Sequence, residues 1–409
     1  MKKILFISYD GMTDPLGQSQ VIPYLCGLTR YGYRFTILSC DKPGNYESQK
    51  EDVFHLLKNY DIQWESIPYH KNPPVLSSIL DYYALRRKAE QLHHRNNYDM
   101  VHTRPGLPTL VALWMKKKYG CGFLNDVRGF WADERVDGGM WNLNNPVYRV
   151  VYHFFKKHEK ECLEKADYNT CLTHAAEKEM LKWDHANKTI PGIRVIPCSA
   201  DLELFHPGKI DTDIRTAFAG KLGITGTGLI ISYLGSIGGW YLTAEMMRFC
   251  KKVADKIPGV KFLFISPHRH DAIMEAASNY GIPPGQLIIT AAKRDEVPVL
   301  LSFSDYSLFF IKPCYSKLSS SPTKHGEIMA MGIPVITNSG VGDVKEIVTK
   351  YKSGYVVEDF SDASFDAVID KILAGNNFDK QKIIDGAEEY YSLAKAIDGY
   401  CEVYARILS

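Results

Sequence analysis

Residues 317–348 read KLSSSPTKHGEIMAMGIPVITNSGVGDVKEIV and hold the residue types best suited to anion chemistry. Ser321 is a good helix cap, and Pro322 suits a first helical position because the N–H it lacks would be orphaned there. The spacing predicts a helix from Pro322 to about Met331. Its first-turn amides, around Pro322 and Thr323, and the positive end of its dipole make a phosphate site. Lys324 adds a cation where helix electrostatics alone disfavour one, which suggests an anion nearby. Glu327, one turn on, is of the type that accepts hydrogen bonds from a ribose diol. A capped helix with a solvated Lys and Glu accounts for the same residues without chemistry, and neither side chain is expected in the apolar core. A second feature, Gly235-Ser236-Ile237-Gly238-Gly239, follows the apolar run LIISYL. Glycines there let backbone approach a phosphate, although alone they equally mark a tight turn. Gly17 and Gln18, with Ser19 and Gln20, occupy the first loop of the chain, a turn by default.

These residues need strand ends to position them, and the chain supplies two sets. Lys3 to Tyr9, the loop DGMTDPLGQSQ and VIPYLCGLTRYGY read as strand, loop and helix. The alternation continues through RFTILSC, a helical pattern over 79–94, DMVHTR, LPTLVALWMKKKYG and CGFLNDVRG. IRVIPCSADLELFHPG breaks it, and GLIISYLGS, AEMMRFCKKVADKI, KFLFIS, QLIIT, YSLFFIK, GEIMAMG and PVITN start a second series. The expected fold is α/β with two Rossmann-like doubly wound domains, 1–195 and 206–385, and a helix at about 390–409 packing back. Ligands of open α/β sheets bind at the carboxyl ends of strands, so the two domains are expected to face each other across a cleft.

A chain of 409 residues has room for two cores, and 45% apolar with 23% charged residues excludes disorder and rods. With 49 basic against 47 acidic side chains, no nucleic-acid partner is expected. The nine cysteines are scattered without a C-x-x-C pair, and no signal peptide or spanning run is evident, so a cytoplasmic location is expected. Residues 146–166 place Val147, Val150, Val151, Phe154 and His158 on one stripe with Lys156, Lys157 and Lys160 elsewhere. Core packing is the default reading, and peripheral contact with an anionic membrane the alternative.

The order of VIPCSADLELFHP, YLGSIGGWY, RDEVPVLLSFSDYSLFFIKP and SSSPTKHGEIMAMGIPVITNSGVGDVKEIV resembles family 4 of the retaining GT-B glycosyltransferases (glycosyltransferase group 1), used in bacterial polysaccharide assembly. The resemblance implies a nucleoside-diphosphate sugar donor, UDP or GDP, on the C-terminal domain and a glycan or lipid-linked glycan acceptor on the N-terminal one. It also implies retention of configuration, with no metal and no further cofactor. The family's paired acidic motif places its second Glu on Glu327 and its first acidic position on Ser319, a departure at a sugar contact. The basic pair that usually follows the glycine loop is Trp240 and Tyr241 here, which leaves Lys324, with Lys317 or Arg294, to neutralise the diphosphate. LNDVRGFWADER lies where many members hold a histidine beside the donor sugar, making Asp126 and Arg128 catalytic candidates with Glu134 behind them. A buried Asp–Arg pair that only holds a loop fits equally. His102 and Arg104 stand at another strand end as acceptor-side candidates, with Gly17 and Gln18 of the first loop facing the expected cleft, or as structural residues. Asp211-Thr212-Asp213 matches D-x-D but falls in a connector, and His268-Arg269-His270 lacks companion ligands, so no metal is assigned. The expected activity is hexosyl transfer, with a noncatalytic sugar-nucleotide-binding subunit or an epimerase as alternatives.

Overall fold

A computed structural model describes residues 1–183, 189–224, 226, 228–375 and 377–409. The chain forms two compact units, the first comprising 1–197, 318–320 and 393–409, the second 198–317 and 321–392.

The first unit is built on seven strands: β1 (Lys2–Ser8), β2 (Tyr33–Asp41), β3 (Gln63–Pro68), β4 (Met100–Thr103), β5 (Gly122–Val127), β6 (Tyr168–Cys171) and β7 (Ile193–Val195). They lie parallel in the order β3-β2-β1-β4-β5-β6-β7. Such a sheet is covered on both faces, and β1 shows why its strands read as continuous apolar runs. Ile4 and Phe6 enter one core, with Ile37 and Met100, while Leu5 and Ile7 enter the other, with Leu38 and Val101. The helix Leu393–Leu408 returns to this unit and lays Tyr400, Val403 and Tyr404 into the first core, beside the helix Ile22–Thr29. Gly27 permits that approach, since a Cβ there would collide with Ile397.

The second unit has six strands: β8 (Ile230–Leu234), β9 (Lys261–Ile265), β10 (Leu287–Thr290), β11 (Tyr306–Leu308), β12 (Val335–Asn338) and β13 (Gly354–Val357). They too are parallel, in the order β10-β9-β8-β11-β12-β13. In both sheets the order reverses between the first and fourth strand of the unit, the place where such sheets open a crevice for ligands.

Three local expectations change. DGMTDPLGQSQ is not wholly a loop: Pro15–Gln20 is a short helix, and Gly17 within it has no room for a side chain against Gly11 and Met12. IRV, read as part of the boundary, is the edge strand β7. On the helix Pro146–Lys165, Val147, Val150 and Phe154 are 54%, 70% and 52% exposed, so only His158 and, in part, Val151 of the expected stripe turn inward.

Candidate active site

In the second unit the carboxyl end of β8 runs into the glycine loop. Gly235, Gly238 and Gly239 have φ of 107°, 77° and 62°, values that favour glycine. The helix beside it is Thr323–Ala330, with Pro322 itself in the cap position. Ser321 does not cap it, because its hydroxyl accepts instead from the Cys198 amide at 3.3 Å. Lys324 and Glu327 are also not solvated, being only 9% and 5% exposed. The Lys324 ammonium donates to the Leu234 carbonyl and lies 3.7 Å from the Tyr241 ring centroid and 4.6 Å from that of Tyr233. A Cβ on Gly235 would come within 2.9 Å of its Nζ, so the glycine makes room for the cation. Burial lowers the Lys324 pKa to about 7, against a smaller opposing effect of Glu327.

Lys317, 5% exposed, sets its ammonium 3.7 Å from the Trp240 ring centroid. Trp240 and Tyr241, where the resemblance led to the expectation of a basic pair, thus each hold a lysine from another segment by a cation–π contact. Glu327 pairs with Arg294, its Oε1 2.6 Å from Nη1, and Arg294 lies over the Phe205 ring at 4.7 Å. Ser236 is exposed at the loop tip, and its carbonyl accepts from the Tyr233 hydroxyl at 2.6 Å. Arg269, which the sequence presents only within a His-Arg-His triplet, sets its Nη1 3.4 Å from the Ile237 carbonyl and 2.9 Å from where a Gly238 Cβ would stand. Its left-handed φ of 63°, unusual for arginine, turns it toward that loop, a placement no local pattern signals.

In the first unit the candidates form a buried polar network. Asp126 accepts from Thr170 Oγ1 at 2.7 Å, from the Tyr400 hydroxyl at 2.9 Å and from His102 Nε2 at 3.3 Å. His102 Nδ1 lies 2.7 Å from the Tyr404 hydroxyl. Arg128 donates to Gln20 Oε1 at 3.1 Å and, at longer range, to Tyr400 and the Ile196 carbonyl. Burial opposes ionisation of Asp126, but Arg128, His102 and Arg104 outweigh it and hold the carboxyl well below the usual carboxylate range. Burial likewise lowers His102 and keeps it neutral. A carboxylate so weakly basic and so fully engaged is poorly suited to act as a general base, and its bonds, with that of His102, tie the C-terminal helix to β4 and β5. Arg104 is 5% exposed and Gln18 lies on the surface, bonded to Gln49 at 2.7 Å. Glu134 packs against Gly129. Ser319 is fully buried, its hydroxyl accepting from the Phe130 amide at 2.9 Å. Asp211 caps the helix Thr212–Leu222 by accepting from the amides of Asp213 and Ile214.

Residues 215–389 match the family model described as Glycosyl transferases group 1. No curated protein matches the chain in sequence. Among solved structures, a sucrose-phosphate synthase from Thermosynechococcus elongatus superposes with a TM-score of 0.73 at 14% identity, covering 100% of this chain and 99% of its own. A glycosyltransferase from Rickettsia africae gives 0.72 at 16% identity, covering 100% and 99%. Anabaena Alr3699/HepE, in complex with UDP, gives 0.72 at 12%, covering 99% and 100%. At these identities the likeness establishes the fold, two parallel-sheet Rossmann-like domains as in GT-B glycosyltransferases.

Proposed function

We propose that this protein transfers a hexosyl group, with retention, from a UDP- or GDP-sugar to a glycan or lipid-linked glycan acceptor in the synthesis of a bacterial surface polysaccharide. The observation that carries the reading is the pair of buried lysines, Lys317 and Lys324, set on Trp240 and Tyr241. Lys324 stands at both the glycine loop and the amino end of the Thr323–Ala330 helix. Such positive charge, out of water and without an acidic residue in the helix's first turn, is built for an anion of high charge density. Glu327, held by Arg294, is placed one helical turn on to accept from a ribose diol.

In this reading the bond between the anomeric carbon and the diphosphate oxygen breaks, and the electron pair leaves with the diphosphate. The acceptor oxygen bonds the same face of the sugar, and its proton passes to the departing diphosphate. Lys324, with Lys317, stabilises the charge on the leaving group, usually the largest catalytic term. No protein base is required, in keeping with the weak basicity of Asp126. No metal is required either, since the lysines and helix terminus supply the charge. The exposed Val147, Val150 and Phe154 favour a peripheral position on the cytoplasmic face of a membrane.

Incubation with UDP- and GDP-sugars, without acceptor, tests the assignment. Slow donor hydrolysis that disappears in Lys324→Met is expected. Nucleotide binding without any turnover would instead identify a noncatalytic subunit.

A further inference from the structure

Asp81, on the helix Leu76–Asn96, is fully buried, and three donors converge on its carboxylate. The Tyr9 hydroxyl donates at 2.7 Å and the His70 amide at 3.2 Å, while His70 Nδ1 lies 2.6 Å away. Among the described residues no lysine or arginine pairs with it. Burial, with Asp81 beside it, pushes the Tyr9 hydroxyl well above its usual range and keeps it a donor. An ionised carboxylate only accepts, so Nδ1 carries the imidazole proton and Nε2 is left as an acceptor. The His70 side chain is 54% exposed, and among the described residues its Nε2 has no partner. A carboxylate is costly to bury, and apolar packing would fasten the helix without that cost, so the arrangement is better suited to fixing the imidazole.

Tyr9 and Asp10 directly follow β1, and Tyr69 and His70 follow β3, so the group stands at the carboxyl end of the sheet, where such folds bind ligands. Tyr9, Tyr69 and Trp131 all border the core that holds Leu5 and Ile7, which puts them on one face of the sheet. The Tyr9 and Tyr69 rings meet edge to face at 5.4 Å. Arg135 joins them on that face: its guanidinium lies 3.3 Å from the Trp131 ring centroid and donates to the Trp131 carbonyl at 3.0 Å. Burial lowers the Arg135 pKa to about 10, opposed by Glu134, Asp10, Tyr69 and Tyr9, all near enough for their charges to act on it.

We propose that this cluster is a subsite for a neutral sugar unit of the acceptor, in which His70 Nε2 accepts a hydrogen bond from a sugar hydroxyl and Asp81 positions the imidazole. Nε2 and Asp10 only accept, and Arg135 only donates. Hydroxyl groups do both and so suit all three, whereas an anionic ligand meets Asp10 and a cationic one meets Arg135. The tyrosine and tryptophan rings at the border suit the apolar face of a pyranose. The inference rests on the transferase reading and adds to it the charge class of the acceptor and the residue that holds it. The donor's own sugar is the other source of such hydroxyls.

Methyl glucoside, galactoside and mannoside, titrated at mildly alkaline pH into the full chain carrying isotope-labelled histidine, test the subsite. Nitrogen spectra of the free protein should show His70 with Nδ1 protonated and Nε2 bare, and at least one glycoside should shift the Nε2 resonance. His70→Asn keeps an N–H for Asp81 but has no Nε2. In calorimetry it should bind that glycoside about fivefold more weakly or worse, the scale of one lost hydrogen bond, at a Tm near the parent's. Asp81→Asn should mix the two tautomers and weaken the same glycoside. If Nε2 responds to none of the three, or H70N binds as the parent does, the proposal is overturned, and the parent spectra decide it should neither variant fold. If saturating UDP-glucose or GDP-mannose prevents glycoside binding, the cluster serves the donor and the proposal falls. Failure of both sugar nucleotides to bind would count against the transferase reading alone, since the glycoside titration needs no donor.

Discussion

Lys324 combines a charge, a burial and a proton equilibrium in one side chain. With its pKa lowered to about 7 by burial, it is largely neutral at pH 8, whereas an anion beside it restores the charged form. UDP binding at pH 8 should therefore take up about one proton, read as a dependence of the calorimetric enthalpy on buffer ionisation, and Lys324→Met should abolish the uptake. The sign for stability follows from the same shift. Between pH 7 and about 10.4 the unfolded chain binds a proton that the folded one does not, so this residue's contribution to the ligand-free protein rises with pH. In K324M that rise should be smaller. Kinetics separate Lys324 from Glu327. Lys324→Met removes a contact that strengthens as the leaving group departs and should lower kcat roughly 100-fold or more, while Glu327→Gln removes one alike in both states and should chiefly raise the donor KM. Equal loss of kcat in both variants would refute that division of roles. The sequence showed which positions matter, through the first-turn lysine and the glutamate one turn on. It did not show their burial, because the aromatic seats that make burial tolerable, Trp240 and Tyr241, lie over 70 residues away and read locally as a missing basic pair.

Elements, more than residues, explain why Asp126 looked catalytic. A carboxylate and an arginine two apart at a strand end suit either chemistry or anchorage. The C-terminal helix favours anchorage, by bringing Tyr400 to Asp126 and Tyr404 to His102 across more than 270 residues of chain. Tyr400→Phe keeps the ring in the core but leaves Asp126 short of a donor, which should cost about 1–3 kcal/mol in denaturant unfolding. Donor hydrolysis in the folded Y400F should be nearly unchanged, and a large loss of turnover at full folding would return Asp126 to the chemistry. Because its folded pKa is depressed, Asp126 contributes stability above the ordinary carboxylate pKa of about 3.9 and loses it as pH falls further. Asp126→Asn should accordingly be less stable at neutral pH but lose less on acidification below about pH 4. The strands themselves were legible where both faces are buried, as in β1, whose Ile4, Leu5, Phe6 and Ile7 are apolar in succession, and in β2 and β8, where only Ser or Thr interrupts the apolar residues of the buried run. β3, QWESIP, was not, because an edge strand with a charged, half-exposed Glu65 carries no such run.

At the scale of the molecule, the same parallel order built twice fixes where ligands meet each sheet, and the first unit adds apolar surface that no core requires. Leu76, Ile79, Leu80 and Tyr83 recur at helical spacing on Leu76–Asn96 and are 52%, 46%, 56% and 59% exposed, as Val147, Val150 and Phe154 are on Pro146–Lys165. Arg86 and Arg87 follow the first stripe, and Arg149, Lys157 and Lys160 flank the second. Among the described residues no helix is long and apolar enough to cross a membrane, so these faces meet lipid, if they do, in its interfacial plane. The sequence alone favoured packing for the second stripe, since periodicity reports that one face of a helix is apolar without reporting what covers it. Co-sedimentation with vesicles containing phosphatidylserine should show binding that weakens with added salt, because both apolar insertion and the basic flank contribute. Val150→Asp with Phe154→Asp should reduce it about tenfold or more, since each replaces buried apolar area with a charge that an anionic surface repels. The pair is exposed, so Tm should stay within about 2 °C. Binding to vesicles that ignores both salt and the double substitution would show that another surface, or none of these stripes, meets the membrane.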